Sequence, residues 1–550
     1  MQVETAWVKA PSQIGGLDHL AVQAPCINIY SRLLPGITNV TDRARYYSFY
    51  PWLIWALDQA GYTQYDDTFI ERFRRADCLY SLIAERHAIT AGGNYEDHAA
   101  AMVGSNTLAT VASSLDDNGE VRLSDYSLRD GAKARYFLNR LGGLGQYYLG
   151  VLRELNILDG DTTRGIKYTR QVGEQIAIRV DAGINRKLFL AAVDADAVTA
   201  ADLEALSAFC PCQLVKSAGE HDILSDLFFV RGLFYDKETL PRRRTLQSLL
   251  QLTELLVNEE EEVTEATFRG CAYTSSLPSG TAWVVPPSLA GNRQKWALYA
   301  RNEILSIAVQ GLFYVLLDAY EASGIRFDAS AQVVDWYLAQ PEVREALGTV
   351  GRQRTFSRCL ADSVGWLPAL EHWREPSHEA ALMEHVVQMS RGSKSPDTRT
   401  AIIVAVMRIL IGLASRADDQ ANAYGDLIFD KGYFLYYPIN LESFSLHENH
   451  TWTGMTMEEV LRWLLSHWGI DLHLRVALRK LRGQSKSTFR IRPSDRGMEV
   501  IGAPSAAHSR PRFNQALRVL KDIGALEQTS SGVWQPSALG VSVMELGDAP

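Results

Sequence analysis

The stretch "YYLGVLRELNILDGDTTRGIKYTRQVGEQIA", Tyr147 to Ala177, decides the reading of the fold. Leu149, Leu152 and Leu155 recur at helical spacing, and a Gly/Thr-rich tip follows between two short extended runs. A strand reaching Tyr168 then hands over to a helix whose N-cap is Thr169 or a near neighbour. The same cadence returns in "ALRVLKDIGALEQTSSGVWQPSALGVSVM", Ala516 to Met544. "VLRELNILD" (Val151 to Asp159) and "VLKDIGALE" (Val519 to Glu527) match in residue type at most positions. Each is followed by a polar tip, a Tyr or Trp, then Thr169 or Ser537, then Gly173 or Gly540. Recurrence within one chain points to one supersecondary unit used twice.

This helix, hairpin and capped helix resembles the winged-helix family, in which a helix ending "xLxxxGLI" precedes a β-hairpin wing and "LTxxG" opens the next helix. The resemblance covers two short segments, within 128–180 and 485–546. It implies that the helix before the wing enters a DNA major groove, its basic residues positioning it there. Winged helices also serve as protein-binding modules, and the N-terminal copy is the better fit to that use, because Glu154, Asp159 and Asp161 lie in or beside it. As a whole the chain resembles, in general character, large helical components of bacterial antiviral defence systems. That implies a role within a multi-protein assembly.

At 550 residues the chain is too long for one core. Hydrophobic content of 47% and charged content of 22% are those of a soluble globular protein. "MQVETAWVKAPSQIGG" has neither a basic n-region nor an apolar h-region, so no signal peptide is expected. The apolar run Ala401 to Ala414 is broken by Arg408, falls short of the ~20 residues of a membrane span, and reads as a buried helix. Six scattered cysteines fit a reducing cytoplasm. Strand-like runs are scarce outside the two hairpins, so the fold class is mainly α and multidomain. The expected segments are a helical region over 1–120, a winged-helix-like unit over 121–180 and a second helical region over 181–258. An acidic then Pro/Ser/Gly-rich linker over 259–292, a helical domain over 293–467 and a basic winged-helix-like domain over 468–550 complete the chain.

The net charge of −9 hides an asymmetry. From Arg475 to Arg518 eleven Lys/Arg face only Asp495 and Glu499, so the rest of the chain is strongly acidic. The candidate nucleic-acid-binding residues are Arg475, Arg479, Lys480, Arg482, Lys486, Arg490, Arg492, Arg496, Arg510, Arg512, Arg518 and Lys521. At helical spacing Arg475, Arg479 and Arg482 share a face, and "FRIR" as a strand would put Arg490 and Arg492 on one solvent side. Such a row suits phosphates, since each contact releases condensed counterions. It equally suits an acidic partner or the acidic body of the same protein. The expected ligand is nucleic acid, duplex DNA in particular, with protein partners for the acidic helical body and no membrane.

"TNVTDRARYYSFYPWLIWAL", Thr38 to Leu57, packs six aromatic residues from Tyr46 to Trp55 behind Arg43 and Arg45. A base-stacking platform would expose such rings beside cations. Here "LIWAL" offers a core to join, so burial is expected, with Thr41 as N-cap and a kink or break at Pro51. Arg43 and Arg45 would then line a polar pocket at its wet edge, a second candidate site.

His447, Glu448 and His450 read as a surface loop rather than a metal site. Cys210 and Cys212 in "FCPC" read as packed thiols, because a zinc site needs two more ligands and only His221 is near in sequence. Glu303 and Gln310, amid apolar neighbours on a long helix, suggest a structural polar network. There is no Gly-rich phosphate loop, "GxSxG" or other recognisable catalytic motif, which tilts the reading away from an enzyme. Neither metal nor other cofactor is expected.

Overall fold

The aromatic stretch forms a single helix, Tyr46–Gln59 (α1), in a computed structural model that describes residues 12–13, 18–62, 65–116, 119–161, 165–416, 452–481, 486–530 and 532–548. Every residue from Tyr46 to Leu57 is buried, as a helix apolar on all sides must be. The helix starts at Tyr46 rather than after Thr41, which corrects the expected N-cap, and of the kink or break expected at Pro51 the break does not occur, since Pro51 lies inside one helix. Proline removes one ladder bond, but ring packing on every side outweighs that local loss. Phe49 stacks on Tyr80 with centroids 3.8 Å apart, and Tyr46 on Tyr50 at 5.1 Å.

Helix accounts for 62% and strand for 7%, and among the described residues every sheet is two-stranded, so the fold is mainly α. The chain divides into two units. One spans Arg32–Val263 and Arg512–Pro550, the other Met1–Ser31 and Thr264–Pro511. We call them the aromatic unit and the long-helix unit.

In the aromatic unit α1 is followed by Asp67–Thr90 (α2), whose N-cap Asp66 accepts from the Phe69 amide, and by the short Tyr95–His98 (α3), capped by Asn94. Leu149–Glu154 (α4), the hairpin Leu158–Asp161 (β1) and Gly165–Tyr168 (β2), and Gly173–Asp181 (α5) come next. Helix α5 packs along α1. Leu240–Asn258 (α6) buries Arg242 and Arg243, whose guanidinium groups donate to the carbonyls of Leu227, Phe228, Phe229 and Val230. Those carbonyls lie at and just beyond the end of the helix Ala218–Phe228, where the last carbonyls lack partners one turn on.

The long-helix unit opens on Glu265–Thr274 (α7), buried from Thr267 to Thr274 within the stretch read as linker. Its axis is Pro287–Ser323 (α8), packed against Glu379–Arg391 (α9) and Pro396–Ser415 (α10). Helices α8 and α10 are long and apolar enough to cross a membrane, but 94% and 61% of their apolar windows are buried inside the protein. Leu472–Leu481 (α11) and the hairpin Ile491–Ser494 (β3) and Gly497–Val500 (β4) follow. From Arg512 the chain belongs to the aromatic unit again, with Phe513–Asp522 (α12), the hairpin Leu526–Gln528 (β5) and Trp534–Pro536 (β6), and Ala538–Met544 (α13). The segment 468–550 is therefore divided between the two units.

The recurrent stretches share one hydrogen-bond scheme. After α4, the amides of Leu155, Asn156 and Ile157 donate to Val151, Arg153 and Leu152 at 3.0, 3.0 and 2.8 Å. After α12, those of Ile523, Gly524 and Ala525 donate to Val519, Lys521 and Leu520 at the same distances. Asn156 and Gly524 both take the left-handed conformation that ends a helix. The hydroxyls of Thr169 and Ser537 then close each hairpin on the carbonyls of Asn156 and Gly524, at 2.7 and 2.6 Å. The same two oxygens accept from the amides of Gly173 and Gly540.

Candidate nucleic-acid interface

Helix α11 buries Leu472, His473, Val476 and Ala477, and turns Arg475 and Arg479 outward, one turn apart. Lys480 instead donates its ammonium to the Asp18 carbonyl, and burial lowers its pKa. Arg482 lies outside the described residues, and Lys486 is described by its backbone alone, in a two-residue strand. Arg490 and Arg492 do not share a solvent face. Arg490 is half-buried, its Nε 3.2 Å from His19 Nε2, because the strand begins only at Ile491. Arg492 is exposed and sits opposite Glu499 in the hairpin register, 3.4 Å from its carboxylate. Arg496 and Arg510 are exposed.

The remaining candidates belong to the aromatic unit and are engaged there. Arg512 donates to the Leu34 carbonyl at 3.0 Å, and Arg518 pairs with Glu96 at 3.0 Å. Lys521 lies 4.0 Å over the Trp534 ring, and burial lowers its pKa. The twelve predicted cations are thus split between the units. Those presented outward on the long-helix unit are Arg475, Arg479, Arg492, Arg496 and Arg510.

Arg43 and Arg45 have no wet edge. Both are buried, 1% and 2% exposed. Arg43 pairs with Asp522 at 3.0 Å and donates to the carbonyls of Glu96 and Asp97. Arg45 forms a two-armed pair with Glu220 and donates to the carbonyls of Ala208 and Cys210. Arg43 ties helix α3, and Arg45 the segment 208–210, to the start of α1, so the expected polar pocket is a filled structural clamp.

Glu303 belongs to a buried polar network. Its carboxylate accepts from the Ser509 amide and hydroxyl, both at 2.7 Å, and from His508 Nδ1 at 3.2 Å. His508 Nε2 is 3.1 Å from Glu384, which also holds Arg269 at 2.6 Å. Burial would raise both carboxyl pKa values, but His508 and its neighbours outweigh it. Glu303 is lowered and Glu384 is held at about 2. Burial likewise opposes the charge on His508, and the two carboxylates win, raising its pKa. Arg269 and Glu384 line a cleft of about 390 Å³, already paired with each other. Gln310 grips both the amide and the carbonyl of Ala507. The network straps 507–509 to α8, as the structural reading of Glu303 and Gln310 expected.

His447, Glu448 and His450 lie outside the described residues. Sequence reading missed the partners of Cys210 and Cys212. These are His87, in the last turn of α2, and His98, which ends α3. The visible signal was "FCPC", and the histidines lie more than a hundred residues upstream. No family model, curated protein or solved structure matches the chain.

Proposed function

We propose that this protein binds nucleic acid, duplex DNA in particular, through the arginines that its long-helix unit presents between Arg475 and Arg510. In this reading it is a non-catalytic component of a multi-protein bacterial antiviral system. The observation that carries it is α11, with Arg475 and Arg479 exposed one turn apart while Leu472, Val476 and Ala477 are buried. Guanidinium forks suit phosphate oxygens, and every phosphate neutralised releases counterions. The helix is held by its buried side, so these cations are presented from a rigid element rather than a loose tail.

The two helix–hairpin–helix repeats take a different part in the proposal, as winged-helix-like modules used for packing or protein contact. That second reading is favoured by Arg512, Arg518 and Lys521, which are engaged within their own unit. The test is fluorescence anisotropy of a labelled duplex at low salt. Arg475→Glu with Arg479→Glu weakens binding at least roughly tenfold, while Arg518→Glu leaves it unchanged. Absence of binding, or indifference to the double charge reversal, defeats the reading.

A further inference from the structure

Four side chains in the aromatic unit converge without any apolar reason to do so. His87 Nδ1 and His98 Nδ1 are 3.1 Å apart, and the sulfurs of Cys210 and Cys212 are 3.5 Å apart. Across the two pairs, Cys210 Sγ lies 3.5 Å from His98 Nδ1, and Cys212 Sγ lies 3.4 Å from His87 Nδ1. All four donor atoms lie within 4.8 Å of one another. A tetrahedral ion bound at about 2.0 Å to nitrogen and about 2.3 Å to sulfur needs edges of about 3.3 Å for N–N, 3.5 Å for N–S and 3.8 Å for S–S. These four edges fall within a few tenths of an ångström of the ideal values, and the two remaining cross edges are no longer than 4.8 Å. Two thiols packed as small hydrophobes would not draw two imidazole nitrogens onto the same point.

We infer that His87, His98, Cys210 and Cys212 form a zinc site with two nitrogen and two sulfur ligands. Mixed thiolate and imidazole donors suit zinc, and disfavour magnesium and calcium, which take oxygen ligands. Four protein ligands leave no position for water, so the ion is structural rather than hydrolytic. Binding releases the protons of both thiols to solvent and uses neutral imidazoles, with no change of oxidation state.

The surroundings are those of a built site. Cys210 is fully buried and His98 is 6% exposed. Gln213 Nε2 donates to Cys212 Sγ at 3.1 Å, the kind of outer contact that orients a thiolate ligand. Arg45 fixes the Cys-Pro-Cys turn by donating to the Cys210 carbonyl at 2.6 Å. The ion joins the ends of the consecutive helices α2 and α3 to this turn, which lies more than a hundred residues further along the chain. It therefore cross-links helix α3, which Arg43 also grips through Glu96 and Asp97.

The experiment is metal analysis of the full chain, purified without chelator from zinc-supplemented cells. One zinc per chain is expected, and Cys210→Ser with Cys212→Ser abolishes it. Gln213→Ala lowers zinc affinity about tenfold or more. Because the double variant could fail to fold, wild-type protein is also stripped with a chelator. Its melting temperature falls and zinc restores it, and cobalt in place of zinc shows the thiolate charge-transfer band of a four-coordinate site. Wild-type protein without stoichiometric zinc, or holding iron or copper instead, overturns the assignment. So does zinc retained in full by the double cysteine variant. The site is separate from the arginines of α11, so Arg475→Glu with Arg479→Glu keeps its zinc.

Discussion

Arg45 and Glu220 face each other as a buried, two-armed ion pair, Nε to Oε1 at 3.0 Å and Nη2 to Oε2 at 2.7 Å. Ser48 completes the carboxylate with a hydroxyl at 2.7 Å. Burial opposes the charge on Arg45, and Glu220 more than restores it, so the guanidinium pKa is raised. Removing one partner strands a charge in the core. Glu220→Ala is expected to cost about 3–5 kcal/mol in denaturant unfolding, and Glu220→Gln less, since the amide keeps an acceptor. A loss below about 1 kcal/mol would mean that the pair holds nothing in place.

The repeated helix–hairpin–helix predicts matched glycine effects. A Cβ at Gly173 would meet the Ile157 carbonyl oxygen, and one at Gly540 the Ala525 carbonyl oxygen. Gly173→Ala and Gly540→Ala should each destabilise by roughly 1–3 kcal/mol, because a backbone atom is in the way. Asn156→Gly should stay within about 1 kcal/mol, since glycine already fills the equivalent left-handed position at Gly524. Unequal behaviour of the two alanine variants would show that the shared bonding scheme does not carry a shared load.

Acid should destabilise the long-helix unit. Burial lowers the pKa of His19 to about 3, and those of His378 and His473 to about 4. His473 accepts the Arg490 amide on Nε2 at 2.8 Å, and that nitrogen must stay unprotonated to do so. As pH falls below 6.5, the unfolded chain takes up protons that these folded imidazoles refuse. Each site then loses roughly 1.4 kcal/mol per pH unit until its folded pKa is reached. His508, whose pKa is raised by Glu303 and Glu384, works the other way but is a single group. Urea midpoints at pH 7.5 and 5.5 should therefore fall with acidity, and His473→Gln should flatten the fall. A midpoint that rises on acidification would contradict this assignment.

What the sequence could disclose follows the range of the forces involved. The hairpin units were legible because their bonds run between residues close in sequence, and Asn156 or Gly524 and Thr169 or Ser537 mark fixed points of the turn. Whether the helix would continue through Pro51 was left open, since local rules allow a kink or a break there and long-range packing selects one continuous helix. The zinc ligands show the same limit. Cys210 and Cys212 announce half a site, but His87 and His98 look like ordinary helix-end residues until α2, α3 and the cysteine turn meet. The arginines divide likewise. Arg475 and Arg479 follow from helical periodicity, whereas Arg43, Arg45 and Arg518 are occupied by partners far away in the chain.

Binding of a nucleic-acid backbone by the arginines of α11 and its neighbours is read out by the salt dependence of duplex affinity. A plot of log Kd against log salt concentration for the wild-type chain should be steep. Arg475→Glu with Arg479→Glu should reduce its slope by about 2, one lost phosphate contact per arginine. A slope unchanged by the double variant, or affinity indifferent to salt, would contradict the account.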